Sequence, residues 1–320
     1  MPHEKYVAKL RPGNAFRDWL VDAVGDEIRD DRCKVRVFKL PKASHNVCRY
    51  EFDGQDYSVV AKFYAEPTGW KRHYDPQEAM VQEYGTLKAI ERIIDIARPI
   101  AAEQKFSCAL VTEYVKGRPL YDYMKNEDGL YDRLTAVAYT LRRLHDETRT
   151  AYLKEEEFSR FHKILDQLRL DRGLREKYDK MLGRWWYSTR IDRSYGCMIH
   201  NDCNPVNYLF NRDKIYAIDF ESAWNHANCV HDLGVVAAEL KYHFGWVKGN
   251  DQKAEPYIGH FLWRYSHGQD EFERIAEALP FFMSLGLLRM ARLRLGSNRR
   301  SYLIRQSKAC LKADGLNGYR

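Results

Sequence analysis

Apolar residues near the start of the chain recur at helical spacing. Phe16, Leu20, Val21 and Val24 share one side, which predicts an amphipathic helix over residues 15–27. After the charged break Asp30-Asp31-Arg32, three short apolar runs at 34–40, 47–52 and 57–64 read as strands. Asp53-Gly54, between the last two, tolerates positive φ and predicts a hairpin, so these strands should follow one another antiparallel. A polar stretch containing Pro67, Gly69 and Pro76 then gives way to a helical pattern over 77–94 (Met80, Tyr84, Leu87, Ile90). Residues 106–115 read as another strand, ended by Lys116-Gly117-Arg118-Pro119.

Beyond that point the period changes. Leu134, Val137, Ala138, Leu141 and Leu144 predict a helix over 130–145, and 158–186 reads as one long charged helical stretch. Strand-like pieces return only at 197–199, 208–210 and 215–220. Everything after Asp232 reads as helices, separated by residues 245–250 and by Pro280. The layout is a strand-rich part over residues 1–115 and a helix-rich part over 116–320, an α+β chain without the alternating units of a doubly wound parallel sheet.

Composition narrows the class. Hydrophobic content of 45% with 30% charged residues describes a folded globular chain, and 320 residues suffice for two domains. No apolar run approaches the ~20 residues that a membrane helix needs, and the first residues lack a signal-peptide layout, so a cytoplasmic protein is expected. The seven cysteines are scattered without a CxxC pair, which argues against a disulfide framework and against zinc. Cys203 stands out only by its position. The net charge of +7 is concentrated near the end, where Arg289, Arg292, Arg294, Arg299, Arg300, Arg305, Lys308, Lys312 and Arg320 face the single acid Asp314. Such a face suits an anionic substrate, a nucleic acid, an acidic membrane surface, or simply solvent.

The chemistry concentrates in His200-Asn201-Asp202-Cys203-Asn204-Pro205-Val206-Asn207, followed twelve positions after Asn207 by Asp219-Phe220-Glu221. This is a polar loop between short apolar strands, with a second carboxylate at the end of a third. Phosphoryl transfer needs a carboxylate to accept the attacking hydroxyl's proton, and oxygen ligands for Mg²⁺. Asp202 suits the first task and Asn207 with Asp219 the second. Upstream, Lys62 ends an apolar strand, and burying an ammonium there without a partner would be costly.

The order H-x-D-x-x-x-x-N, a short hairpin, then D-F resembles the catalytic and metal loops of the protein-kinase-like superfamily. The closest flavour is its small-molecule branch, of the aminoglycoside phosphotransferase and choline kinase type. Glu221, where protein kinases carry glycine, fits that branch. The resemblance implies a bilobal fold, with a small antiparallel-sheet N-lobe and a larger, mainly helical C-lobe. It implies ATP and Mg²⁺ as cofactors, with Asp202 as catalytic base and Asn207 and Asp219 as catalytic metal ligands. Lys62 would contact the α- and β-phosphates and pair with Glu83, chosen over Glu78 by the family's spacing. Ser44, His45 and Asn46 would cover the nucleotide in a loop without glycine, and the backbone of Glu113 and Val115 would meet the adenine. His200 would support the loop, and Asp232 would open a helix and brace it.

The acceptor is less defined. Residues 150–195 lean basic (Arg160, Lys163, Arg169, Arg172, Arg175, Lys177, Lys180, Arg184), with acids interspersed. This favours a neutral or anionic small hydroxyl compound, such as a sugar, a polyol or a phosphorylated metabolite, over a polycation. Trp185, Trp186, Tyr187 and Trp224 are candidates for stacking on a ligand, with core packing the expected role of most. The alternatives are a protein or lipopolysaccharide-core kinase of the same fold, and a non-catalytic nucleotide- or nucleic-acid-binding relative. No activation-loop-sized segment separates Asp219 from His231-Asp232-Leu233.

Overall fold

The computed structural model describes residues 4–41, 45–66, 74–293 and 295–313. The chain divides into two units, Met1–Lys116 with Tyr216–Glu221, and Gly117–Ile215 with Ser222–Arg320.

The first unit is built on six strands: β1 (Lys5–Leu10), β2 (Val35–Lys39), β3 (Asn46–Phe52), β4 (Ser58–Phe63), β5 (Pro99–Glu103) and β6 (Ala109–Glu113). Their spatial order is β1-β2-β3-β4-β6-β5, antiparallel throughout. One face carries Val35, Val37, Tyr50, Phe52, Val59, Ala61 and Val111 against Leu20, Val21 and Val24 of helix α1 (Ala15–Val24). Because side chains alternate along a strand, Val60, Lys62 and the following Tyr64 point to the opposite face of β4. Helix α2 (Pro76–Ile90) starts at Asp75, whose carboxylate caps the amides of Gln77 and Glu78 at 2.8 and 3.1 Å. It stops four residues short of the predicted end, because the chain tightens at Ile90 into a turn that still buries Ile94.

The second unit opens with β7 (Arg118–Pro119), α3 (Leu120–Asn126), α4 (Leu130–Glu147) and β8 (Arg149–Thr150). The predicted single helix over 158–186 is two, α5 (Lys154–Leu168) and α6 (Arg172–Trp186). The break is local: Arg169 takes φ +48°, and the Asp171 carboxylate caps the Leu174 amide at 2.9 Å, so one helix ends and the next begins within three residues. Short strands β9 (Gly196–Ile199), β10 (Tyr208–Asn211), β11 (Lys214–Ala217) and β12 (Trp224–Ala227) follow. Along β11 the chain passes back into the first unit. Helices α7 (Val230–Tyr242), α8 (Ala254–Tyr265), α9 (Gln269–Ala291) and α10 (Ser297–Lys312) complete the chain.

Pro280 does not separate helices; it lies inside α9. It is buried with Phe281, Phe282 and Leu279, so packing on every side outweighs the local cost of ~3 kcal/mol for an interior proline. No helix among the described residues is long and apolar enough to cross a membrane.

Candidate active site

Two clusters of polar side chains are formed, one in each unit. In the first, Lys62 on β4 is held by three carboxylates. Its Nζ lies 2.9 Å from Glu83 on α2, 2.6 Å from Asp219 and 2.8 Å from Glu221. Lys62 and Glu83 are buried, and the Tyr64 hydroxyl donates to Glu83 as well. Burial by itself would push the ammonium down, but Glu83, Asp219 and Glu221 more than reverse this and hold it above the ordinary lysine range. Burial raises the Glu83 carboxyl, partly offset by Lys62 and reinforced by Asp219.

Burial also works against the charge of Glu221, yet His45 and Lys62 draw its carboxyl down to about 2. His45 Nε2 stands 3.0 Å from that carboxylate, and its ring packs on Tyr64. Asp219 adopts φ +67°, a left-handed backbone that few non-glycine residues take, and turns its side chain into this cluster. Glu83, Asp219 and Glu221 each offer a carboxylate oxygen within 4.8 Å of the others. Hard oxygen donors of this kind fit a divalent cation such as Mg²⁺. Asn46 begins β3 opposite Phe63, and Ser44 lies outside the described residues. Glu113 ends β6, its amide donating to the Arg98 carbonyl at 2.9 Å, and Val115 follows in the connector.

The second cluster is the loop leaving β9. Asp232 on α7 accepts hydrogen bonds from the backbone amides of His200 (2.7 Å) and Asn201 (2.8 Å), and its Oδ2 is 3.1 Å from His145 Nε2. Burial opposes charge on Asp232, but the bond to His145 and the neighbouring histidines hold its carboxyl well below the usual range. Asn201 turns the loop at φ +63°, and its side-chain amide donates to the Ser222 carbonyl at 2.8 Å. Asn204 caps the short turn Pro205–Asn207 by accepting from Val206 at 3.2 Å. That turn aims the Asn207 amide at Asp202, with Nδ2 donating to the backbone oxygen at 3.0 Å and to Oδ2 at 3.2 Å. Asp202 and Asn207 are thus brought together, as are Lys62, Glu83, Asp219 and His45.

Cys203 is fully buried, and its thiol bonds the Tyr208 hydroxyl at 3.0 Å. Burial pushes it far above the ordinary thiol range, so it is a packing residue and not a nucleophile. Of the aromatic candidates, Trp185 is core, donating to the Leu311 carbonyl, whereas Trp224 carries the Arg160 guanidinium 3.8 Å above its ring. Sequence reasoning did not single out Arg289 for this loop. From α9 its Nη2 reaches Asp202 Oδ1 at 3.2 Å, and Nη1 bonds Asn201. The only sequence signal was its place in the basic C-terminal run.

The family model of the phosphotransferase enzyme family (APH) matches residues 42–260, more than half of the chain. Solved structures with the same fold include an ethanolamine kinase of Plasmodium vivax, 12% identical, with a TM-score of 0.60 over 86% of this chain and 81% of that one. A choline kinase of Cryptosporidium parvum is 13% identical, with a TM-score of 0.63 over 93% and 94%. The ADP-bound aminoglycoside phosphotransferase APH(2'')-Ib is 14% identical, with a TM-score of 0.56 over 93% and 99%. Among curated protein sequences none matches. The expected protein-kinase-like α+β fold is therefore the observed one, and the chain belongs to the phosphotransferase enzyme family.

Proposed function

We propose that this kinase-type phosphotransferase moves the γ-phosphate of ATP to a hydroxyl group of a small molecule. The observation that carries the reading is Lys62, a buried ammonium gripped by Glu83, Asp219 and Glu221. A cation so held is preorganised to meet the α- and β-phosphates, and the acids beside it suit a divalent ion. Asn207 and Asp219 are assigned to Mg²⁺, which when bound neutralises charge on the phosphate oxygens. Asp202, positioned by Asn207 and by the Asp232 brace behind its loop, accepts the proton of the attacking hydroxyl. The hydroxyl oxygen bonds the γ-phosphorus, the bond from that phosphorus to the β-phosphate oxygen breaks, and ADP leaves. His45, Asn46 and Ser44 are assigned to the nucleotide's phosphate side, and the backbone of Glu113 and Val115 to its base. The solved relatives are kinases named for ethanolamine, choline and aminoglycosides, which are small hydroxyl compounds, and this supports an acceptor of that size.

The test is ADP release across a panel of hydroxyl metabolites. Asp202→Asn is expected to lower turnover at least ~10³-fold while Mg-ATP affinity stays within about twofold. Asp219→Ala should weaken Mg-ATP binding as well. Wild-type turnover in both variants would refute the assignment.

A further inference from the structure

The ground around Asp202 is unusually rich in guanidinium groups. Trp224 pairs with Ile199 in the β12–β9 ladder, immediately before the loop that carries Asp202. Over its ring sits Arg160 of α5, with Nε buried and without a hydrogen-bond partner among the described residues. Two turns along the same stripe of α5, Gln167 accepts from Arg292 Nη1 at 2.5 Å. Arg292 lies one turn beyond Arg289, the residue that bonds Asp202. Contacts of Phe158 and Phe161 with Phe281 fix α5 against α9, and Arg160 lies close enough to Arg289 for their charges to act on one another. Arg299 of α10 stacks on Tyr242 at the end of α7, again with an unpartnered buried Nε.

The charges act on one another. Burial lowers the Arg160 guanidinium, Glu157 and Glu156 oppose the fall, and Arg289 deepens it. Arg292 is exposed at the end of α9, and partial desolvation and then Arg289 draw it below the ordinary guanidinium range, with Asp202 opposing. Glu157 is committed elsewhere, to the Asn228 amide and to His231, while Asp202 partly offsets the effect on Arg292 and Glu239 acts on Arg289 and Arg299. Of Arg160, Arg289 and Arg292, Asp202 bonds only Arg289, so an arriving anion would share the remaining positive charge.

Building on the kinase reading, we propose that Arg160, Arg289 and Arg292 form an anion subsite of the acceptor pocket, and that the acceptor is a hydroxyl compound carrying a phosphate or carboxylate group. Arg160, held flat on Trp224, presents a donor edge suited to bidentate contact with an oxyanion, and Arg292, whose Nη1 and Nε bond Gln167 and the Arg289 carbonyl, adds its charge alongside. Arg289 spans the subsite and Asp202, so an acceptor anchored by its anionic group has its hydroxyl led toward the base. A protonated or quaternary amine, as in ethanolamine or choline, would be repelled here.

The experiment pairs activity with binding. ADP release is measured with choline, ethanolamine and kanamycin, with glucose and glycerol, and with glycerol 3-phosphate, glucose 6-phosphate and glycerate, using Asp202→Asn as blank. Turnover is expected within the anionic set, and the double variant Arg160→Gln/Arg292→Gln should raise the KM for that acceptor at least ~10-fold, with the KM for ATP within about twofold. In parallel, inorganic phosphate is titrated into protein saturated with Mg-ADP. Binding to wild type should weaken at least ~10-fold in the double variant and should fall as salt rises. Turnover confined to cationic or neutral acceptors would overturn the subsite while leaving the kinase reading intact. Phosphate binding that is absent from wild type, or equal in wild type and variant, would overturn it too. Failure to bind Mg-ATP would instead strike the kinase reading.

Discussion

Glu239 shows how much of this molecule's electrostatics is set residue by residue. It lies on α7 one turn before Tyr242, and burial, then the like charge of Asp202, push its carboxyl up to about 7, with Arg289 and Arg299 opposing. Unfolded, the same group titrates near its ordinary 4.5. Between those values the folded chain binds the extra proton, so stability falls as pH rises through the window and levels off above it. Glu239→Gln removes that loss. Relative to wild type, the variant should gain on the order of 1–3 kcal/mol between about pH 5 and pH 8, read from urea midpoints. An unchanged gap at the two pH values would show that the carboxylate ionises in the fold without penalty. Nothing in the sequence around Glu239 announces this, because its causes are burial by neighbours distant in sequence and a charge brought in from the loop after β9. Lys62 is the opposite case: an ammonium at the end of an apolar strand demands a counter-charge wherever the chain goes.

At the level of elements, the pairing of α7 with α9 depends on two glycines. A Cβ on Gly234 would stand 2.6 Å from the Phe282 carbonyl carbon and 2.8 Å from the Met283 nitrogen, and one on Gly286 would stand 2.8 Å from the Ala238 Cβ. Gly234→Ala is therefore expected to cost about 2–4 kcal/mol, since backbone and not a flexible side-chain tip must give way. Gly183 in α6 is the control. A methyl group there meets nothing within 4 Å, so Gly183→Ala should be stabilising by about 0.5–1 kcal/mol. Thermal unfolding of the two variants separates these effects, and equal melting temperatures would contradict them. Because α7 carries Asp232, the same variant should also loosen the amides of His200 and Asn201. Helices with a clear apolar stripe, such as α1 and α4, were legible from spacing. The break at Arg169–Asp171 and the unbroken run through Pro280 were not, because one rests on a cap in an unremarkable charged stretch and the other on neighbours distant in sequence.

Over the whole chain, the change from period two to helical period marked where the strand-rich part gives way, and the loop of Asp202 and Asn207 could be read as a unit because its parts are local. The edge strands β1 and β5 are not legible from the pattern, for β1 is mostly exposed, with Tyr6 and Val7 adjacent on its surface, and so lacks the alternation a half-buried strand displays. Harder still was the return of Tyr216–Glu221 to the first unit, a consequence of topology that no local pattern encodes. That return has a bearing on synthesis. A nascent chain released only as far as Lys116 owns Glu83 but neither Asp219 nor Glu221, so the Lys62 ammonium would have to leave water with one counter-charge in place of three. Maturation of the N-terminal sheet should therefore wait until residue 221 has left the ribosome. Ribosome-stalled chains ending well beyond 116 and well beyond 221 are expected to differ in protease resistance of that sheet, only the longer one being protected.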